Sequence, residues 1–120
     1  MAVSARVNIS RIWEIRSKVF DLYERYHLSL VADPNHTAHA VNDITSMLKS
    51  IKTMIRDLAV PGHDKCRQGI LLTISDLSSV IPRFKDNQQR ITKLWNRLTR
   101  SLADWAAHEE QLAKDKFTSC

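Results

Sequence analysis

The sequence predicts an all-α protein, an antiparallel bundle of three or four helices with a long C-terminal helix. Apolar side chains recur at alternating intervals of three and four residues in two long segments, which is the pattern of helices packed lengthwise. Only two of the 120 residues are glycine and three are proline, too few for the many turns of a β-rich fold. We therefore expect one helical-bundle domain over residues 1–120.

The alternating spacing is most regular in residues 41–58, and it also occurs in residues 12–26. Because an α-helix completes a turn every 3.6 residues, this spacing places one apolar stripe on each helix. The stripe residues are Ile12, Ile15, Val19, Leu22 and Tyr26 in the earlier segment, and Val41, Ile44, Leu48, Ile51, Ile55 and Leu58 in the later one. Trp13, Phe20 and Tyr23 widen the first stripe, so we expect that helix to contact two neighbours.

Turn signals divide the chain into four predicted helices, which span residues 8–31, 36–60, 64–81 and 87–117. Pro34 and Pro61 separate the first three helices, and Pro82 is expected to stop or kink the third because it lacks a backbone N–H. Asp86 and Gln89 have the spacing of a capping box, which predicts the start of the fourth helix.

The fourth predicted helix is longer than the others, about 46 Å against about 36 Å for the first, so its end should project past its neighbours. After Trp105 the apolar stripe would continue through Glu109 and Leu112, and an acid therefore occupies an expected apolar position. Two interpretations remain open. Either burial stops there and the end of the helix is solvated, or Trp105, Leu112 and Phe117 bind another chain while Glu109 meets a cation.

Two strips of basic residues form the other candidate binding surface on a chain of net charge +5. If the second and fourth helices are neighbours, the strips would merge into one surface for phosphates or carboxylates. The alternative is that these side chains pair with acids of adjacent helices or are simply solvated. The strips are Lys49, Lys52 and Arg56 on the second helix, and Arg90, Lys93, Arg97 and Arg100 on the fourth.

Two residues conflict with their predicted positions. Arg16 falls within the wide apolar arc of the first helix, where a buried guanidinium would need an acidic partner unless it reaches the rim. Gly69 falls in the middle of the third helix, where glycine costs stability unless another backbone approaches closely.

No residue pattern predicts catalysis, and we expect no cofactor, no metal and no small-molecule substrate. His63 with Cys66, and His36 with His39, are spaced three apart, but a structural zinc site takes four ligands in paired spacing. No apolar run of about 18 residues predicts a transmembrane segment. With two cysteines and no secretory signal, an intracellular, cytoplasmic location is expected.

The sequence favours a non-catalytic protein-interaction subunit, an adaptor, tether or scaffold component that contributes amphipathic helices to a larger assembly. A protein partner or a homo-oligomer formed through the long helix is the expected assembly. The alternative is an anion-binding helical module that uses the basic strips to engage nucleic acid or an anionic membrane surface.

Overall fold

The computed structural model describes the backbone of residues 5–31, 37–58 and 64–118, and the side chains of residues 9–31, 38–58 and 65–111. All regular structure in these residues is helical, which confirms the predicted all-α class. The α-helices are α1 (Ala5–Tyr26), α2 (Thr37–Asp57), α3 (Asp64–Val80) and α4 (Gln88–Thr118). A π-helical turn, His27–Val31, follows α1, and a 3-10 turn, Ile81–Asp86, connects α3 to α4.

Each α-helix packs against two others. α1 contacts α2 and α4, and α3 contacts the same two helices. Neither the pair α1 and α3 nor the pair α2 and α4 is among the main contact pairs of the described residues. The helices of each such pair are therefore diagonally opposite each other. This arrangement is consistent with a helical bundle.

Long-range hydrogen bonds show the relative direction of neighbouring helices. On α1 and α4, Arg16 donates to the carbonyl of Thr99, whereas the carbonyl of Val19 accepts from Trp95. Residue numbers therefore rise along α1 as they fall along α4, and the two helices are antiparallel. Bonds from Lys52 to Ser75 and from Arg67 to Leu58 give the same result for α2 and α3.

Both predicted apolar stripes lie in the core. Every stripe residue of α1 is buried, and on α2 only Val41 is half-buried while the remaining stripe residues are buried. α4 packs its own apolar side against the stripe of α1, and α3 packs against α2, so water is removed from these surfaces together, which is the main favourable contribution to folding. The buried apolar residues of α4 are Ile91, Leu94, Trp95, Leu98, Leu102, Trp105 and Ala106.

The wide apolar arc predicted for α1 is only partly buried. α1 does contact two neighbours, and Tyr23 packs against the core. Trp13 and Phe20, however, are 41% and 46% exposed. The two neighbours cover one side of α1, and these two rings extend beyond that side.

The connection between α3 and α4 differs from the prediction at Asp86. At Pro82 the prediction is confirmed, because the α-helix ends at Val80 and a kinked 3-10 turn follows; α4 begins at Gln88. Asp86 makes no hydrogen bond with the described residues, so the expected capping box is wrong. Asn87 is the residue that directly precedes α4, and its carbonyl accepts a hydrogen bond from the backbone N–H of Ile91 at 2.8 Å. Pro34 and Pro61 lie outside the described residues.

Candidate functional site

The two basic strips lie on either side of α3. Lys52 of α2 donates from Nζ to Oγ of Ser75 on α3 at 2.9 Å. Arg97 of α4 lines a groove together with Gly69 and Thr73 of α3. The strips therefore do not merge through direct packing of α2 on α4, as the sequence left open, because α3 lies between them.

Most residues of the basic strips have no partner within the described residues. Lys52 is half-buried and bonded to Ser75, but the other six side chains are exposed and make no hydrogen bond or ion pair there. Those six are Lys49, Arg56, Arg90, Lys93, Arg97 and Arg100. Of the two non-functional alternatives, pairing with acids of adjacent helices is thus not observed in this part of the chain.

The outward surface of α3 between the strips has an apolar centre. Leu72 is 66% exposed there. Two acids belong to this region: the exposed Asp76, one turn after Leu72 on α3, and Asp104 of α4, which lines the same groove as Arg97. We call the surface formed by Leu72, the α2 strip and Arg97 the basic face. Its positive charges outnumber its negative ones, so it attracts anionic groups.

The strip on α4 also extends beyond this face. Lys93 lines a second groove, on the α1 side of α4, together with His27 and Val31. The four basic residues of α4 therefore cover the outer surface of the helix from its α3 side towards its α1 side, and Arg97 is the one placed directly against α3.

The groove between α3 and α4 has a volume of about 390 Å³. Gly69 forms part of its wall, and a Cβ atom at that position would have no neighbour within 4 Å. The close backbone approach that would have explained this glycine is therefore absent. Cys66, which is exposed, and Trp105 line the same groove.

The residues predicted for docking at the end of α4 lie partly in the core. Trp105 is 1% exposed and Glu109 is 6% exposed, so their own chain covers both. Trp105 consequently presents no side-chain surface to a partner in this conformation, and solvation of the helix does not begin at Glu109. The side chains of Leu112 and Phe117 lie outside the described residues, and their docking role stays a prediction.

Arg16 reaches the rim of the core without an acidic partner in the described residues. Its Nε donates to the carbonyl of Thr99 at 2.9 Å. Its guanidinium carbon lies 5.4 Å from the ring centre of Trp13 and 4.8 Å from that of Phe20. Such positions over aromatic faces are attractive for a cation, and they fix the guanidinium between two exposed rings.

Sequence reasoning missed the exposed apolar surface of which these rings are part. Among the described residues, six large apolar side chains are exposed, and four of them belong to α1 and its π-helical turn. We call these four residues the outer stripe: Trp13, Phe20, Leu28 and Val31. The aromatic residues were visible in the sequence, but they were assigned to a widened buried arc.

The described residues contain no group of three or more His, Cys, Asp or Glu side chains that could hold a metal ion. His36 and His63, the first members of the two short-spaced pairs, lie outside them. No helix in the described ranges is both long enough and apolar enough to cross a membrane. Comparisons with protein families, with curated proteins and with solved structures find no match to this chain.

Proposed function

We propose that this chain is a non-catalytic protein-interaction subunit, an adaptor, tether or scaffold component that folds over residues 1–120 as an antiparallel four-helix bundle. Its partner is an acidic protein inside the cell, bound at the basic face. The observation that supports this role most is the placement of the exposed Arg56 and Arg97, which have no partner in the described part of the chain, on either side of the exposed Leu72.

The charges of the basic face are suited to attracting a partner. A basic side chain that is already paired would have to exchange one acid for another, with little net gain. Arg56 and Arg97 have no such pairs within the described residues, so a partner's carboxylates add new charge-assisted hydrogen bonds. Their combined field also accelerates the encounter with an acidic surface.

Leu72 supports a protein partner in particular. A leucine that is 66% exposed gains about 1 kcal/mol or more when a partner covers it, because apolar surface leaves water. An apolar centre surrounded by charges is the usual arrangement of a protein interface. Proteins that bind single-stranded nucleic acid instead place aromatic rings among their basic residues, and the exposed apolar side chain of this face is aliphatic.

The second candidate is the anion-binding module, which the same cations favour. Phosphates of nucleic acid or of an anionic membrane would meet basic residues on two helices at once. Asp76 and Asp104 count against this function, because they would stand close to the phosphates. The two candidates differ in how their affinity depends on salt and in which polyanion binds.

A binding experiment with three probes separates these candidates. The probes are fluorescent poly-glutamate, a short DNA duplex and vesicles containing phosphatidylserine, each titrated with the full chain from about 0.05 to about 0.2 M salt. The test variant carries Arg56→Glu and Arg97→Glu. The control carries Arg11→Glu and Lys18→Glu, an equal charge change at exposed positions on α1.

The proposal expects poly-glutamate to bind, and its affinity to fall by about tenfold or more in the test variant but by about twofold or less in the control. If DNA or vesicles bind with a steep log-linear salt dependence and poly-glutamate does not, the anion-binding module is the better description. Equal losses in the two variants would reject both functions, since the response would then depend on net charge alone.

A further inference from the structure

The outer stripe of α1 runs along the molecule on a different side from the basic face. Its four apolar residues extend from Trp13 to Val31, about 27 Å along the helix axis. At 100° per residue, Trp13 and Phe20 project within about 20° of each other. α1 and α3 are not a main contact pair of the described residues, so this stripe lies across the bundle from the surface centred on Leu72.

Two opposite charges accompany the apolar groups. Arg16 uses only Nε in its bond to Thr99, so both of its Nη groups lack a hydrogen-bond partner among the described residues. Glu24 is exposed and makes no hydrogen bond or ion pair with them either. Glu24 projects close to the direction of Trp13 and Phe20, so any apolar partner that covered this stripe would have to supply a cation for its carboxylate.

We infer that the occupant of the outer stripe is a second copy of this chain, docked with the two α1 helices antiparallel. Arg16 precedes Phe20 by four residues, and Glu24 follows it by four. A two-fold axis beside Phe20 therefore brings the two Phe20 rings together and sets each Arg16 at the level of the Glu24 of the other copy. Such a self-complementary arrangement is what a two-fold dimer requires, because each contact occurs twice.

The same register matches apolar with apolar along the stripe. Val31 reaches the level of the half-buried Ile9 of the other copy, and Trp13 reaches the level of His27, next to Leu28. The free Nη groups of Arg16 then donate to a carboxylate while its position over two rings is kept. Charged pairs of this kind, held in place by aromatic packing, are among the stronger polar contacts of interfaces.

A dimer of this type leaves both basic faces open, since α3 lies across the bundle from α1. A contact along about 27 Å of one helix is at the small end of protein interfaces. We therefore expect a dimer that dissociates on dilution rather than an obligate one. The inference does not depend on the proposed binding of an acidic partner, which uses other residues.

Sedimentation of the full chain from about 5 to about 500 µM tests this inference. The wild-type chain is expected to shift from monomer to dimer over the series. Arg16→Glu and Glu24→Arg should each weaken the dimer by about tenfold or more, because each places like charges together twice. An equimolar mixture of the two variants should dimerise again, since every new carboxylate then faces a guanidinium.

The control is Lys18→Glu, a charge reversal on the α1–α2 side of the molecule, where Lys18 lines a groove with Asp21 and Met47. It should leave dimerisation within about twofold of wild type. Circular dichroism checks the fold of each variant, because Arg16→Glu also removes the bond to Thr99. Should that variant fail to fold, Glu24→Arg still gives the answer, since Glu24 has no contact of this kind to lose.

A wild-type chain that stays monomeric over the whole series overturns the inference, as does a Glu24→Arg variant that dimerises like wild type. Dimers in both single variants and no gain on mixing would do the same, because the charge pairing would then be absent. None of these results bears on the poly-glutamate experiment, so the dimer and the acidic partner can fail separately.

Discussion

The two tryptophans in the core of α4 have the same burial and very different surroundings. Trp95 and Trp105 are each 1% exposed. Nε1 of Trp95 donates to the carbonyl of Val19 at 3.1 Å, and its ring lies 5.2 Å from Tyr23 and 5.5 Å from Tyr26, between ring centres. Nε1 of Trp105 is buried with no hydrogen-bond partner in the described part of the chain.

The two indoles therefore differ in whether their N–H is satisfied, although a groove of about 390 Å³ borders each of the two helix contacts. Around Trp95, the α1–α4 contact is filled by an aromatic cluster and held by a long-range hydrogen bond. Around Trp105, the α3–α4 contact contains a groove of about 390 Å³ with a glycine in its wall. A buried donor without an acceptor costs about 1–3 kcal/mol. Burial therefore shows where the core is, but not how completely its polar groups are satisfied.

The largest expected effect comes from replacing each indole by a benzene ring. Trp95→Phe should lower the free energy of unfolding by about 3 kcal/mol, because it leaves a gap and removes a formed hydrogen bond. Trp105→Phe should cost only about 1 kcal/mol, since the smaller ring also removes an unsatisfied donor. Urea denaturation of both variants measures the difference, provided that the m-values match. Equal losses would mean that Trp105 has an acceptor in solution.

The next effect concerns the hydroxyl of Tyr26, whose ring packs against Trp95. Its Oη is buried, and none of the described residues forms a hydrogen bond with it. Burial, and secondly the nearby Tyr23, raise the pKa of Tyr26 from 10.0 to about 12. The folded state thus keeps the proton in a range of pH where the unfolded chain releases it.

Alkaline pH should therefore destabilise the fold through Tyr26. Below about pH 10 neither state ionises this residue, and its contribution is constant. From about pH 10 to the folded pKa of about 12, the free energy of unfolding should fall by up to about 1.4 kcal/mol per pH unit, or about 2.7 kcal/mol in all, and then level off.

Stability curves at several alkaline pH values, recorded for wild type, Tyr26→Phe and Tyr23→Phe, measure this contribution. Tyr26→Phe should remove most of the slope, whereas Tyr23→Phe should retain it because burial is the larger cause. If the slope survives in Tyr26→Phe, another group must carry the alkaline transition.

These two regions also show which features the sequence could predict. The core stripes of α1 and α2 were predicted residue by residue, because periodic spacing reports directly which side of a helix avoids water. The aromatic residues were not, since Trp13 is half-exposed and Trp95 is buried although both occur beside apolar stripes. Whether such a ring is covered depends on which helices flank it, and spacing along one helix contains no information about that.

The candidate surfaces could likewise be predicted from the sequence only in part. The solvated basic side chains could be predicted from the charge pattern, but their placement on either side of α3 depends on the order of helices around the bundle. Leu72 offered no separate signal, because an exposed leucine and a buried one look alike in a sequence. The outer stripe needed two facts from the structure: the exposure of Phe20, and the unpaired state of Glu24.

The smallest predicted effect concerns Gly69, in the wall of the open groove. Glycine in the interior of a helix costs about 0.5–1 kcal/mol relative to alanine, and a Cβ atom there would meet no neighbour within 4 Å. Gly69→Ala should therefore raise the free energy of unfolding by about that amount. The reverse change at the exposed Ala107 of α4, Ala107→Gly, should lower it equally and gives the size of the backbone effect alone. If Gly69→Ala lowers stability while Ala107→Gly behaves as expected, α3 and α4 approach each other more closely than this groove allows.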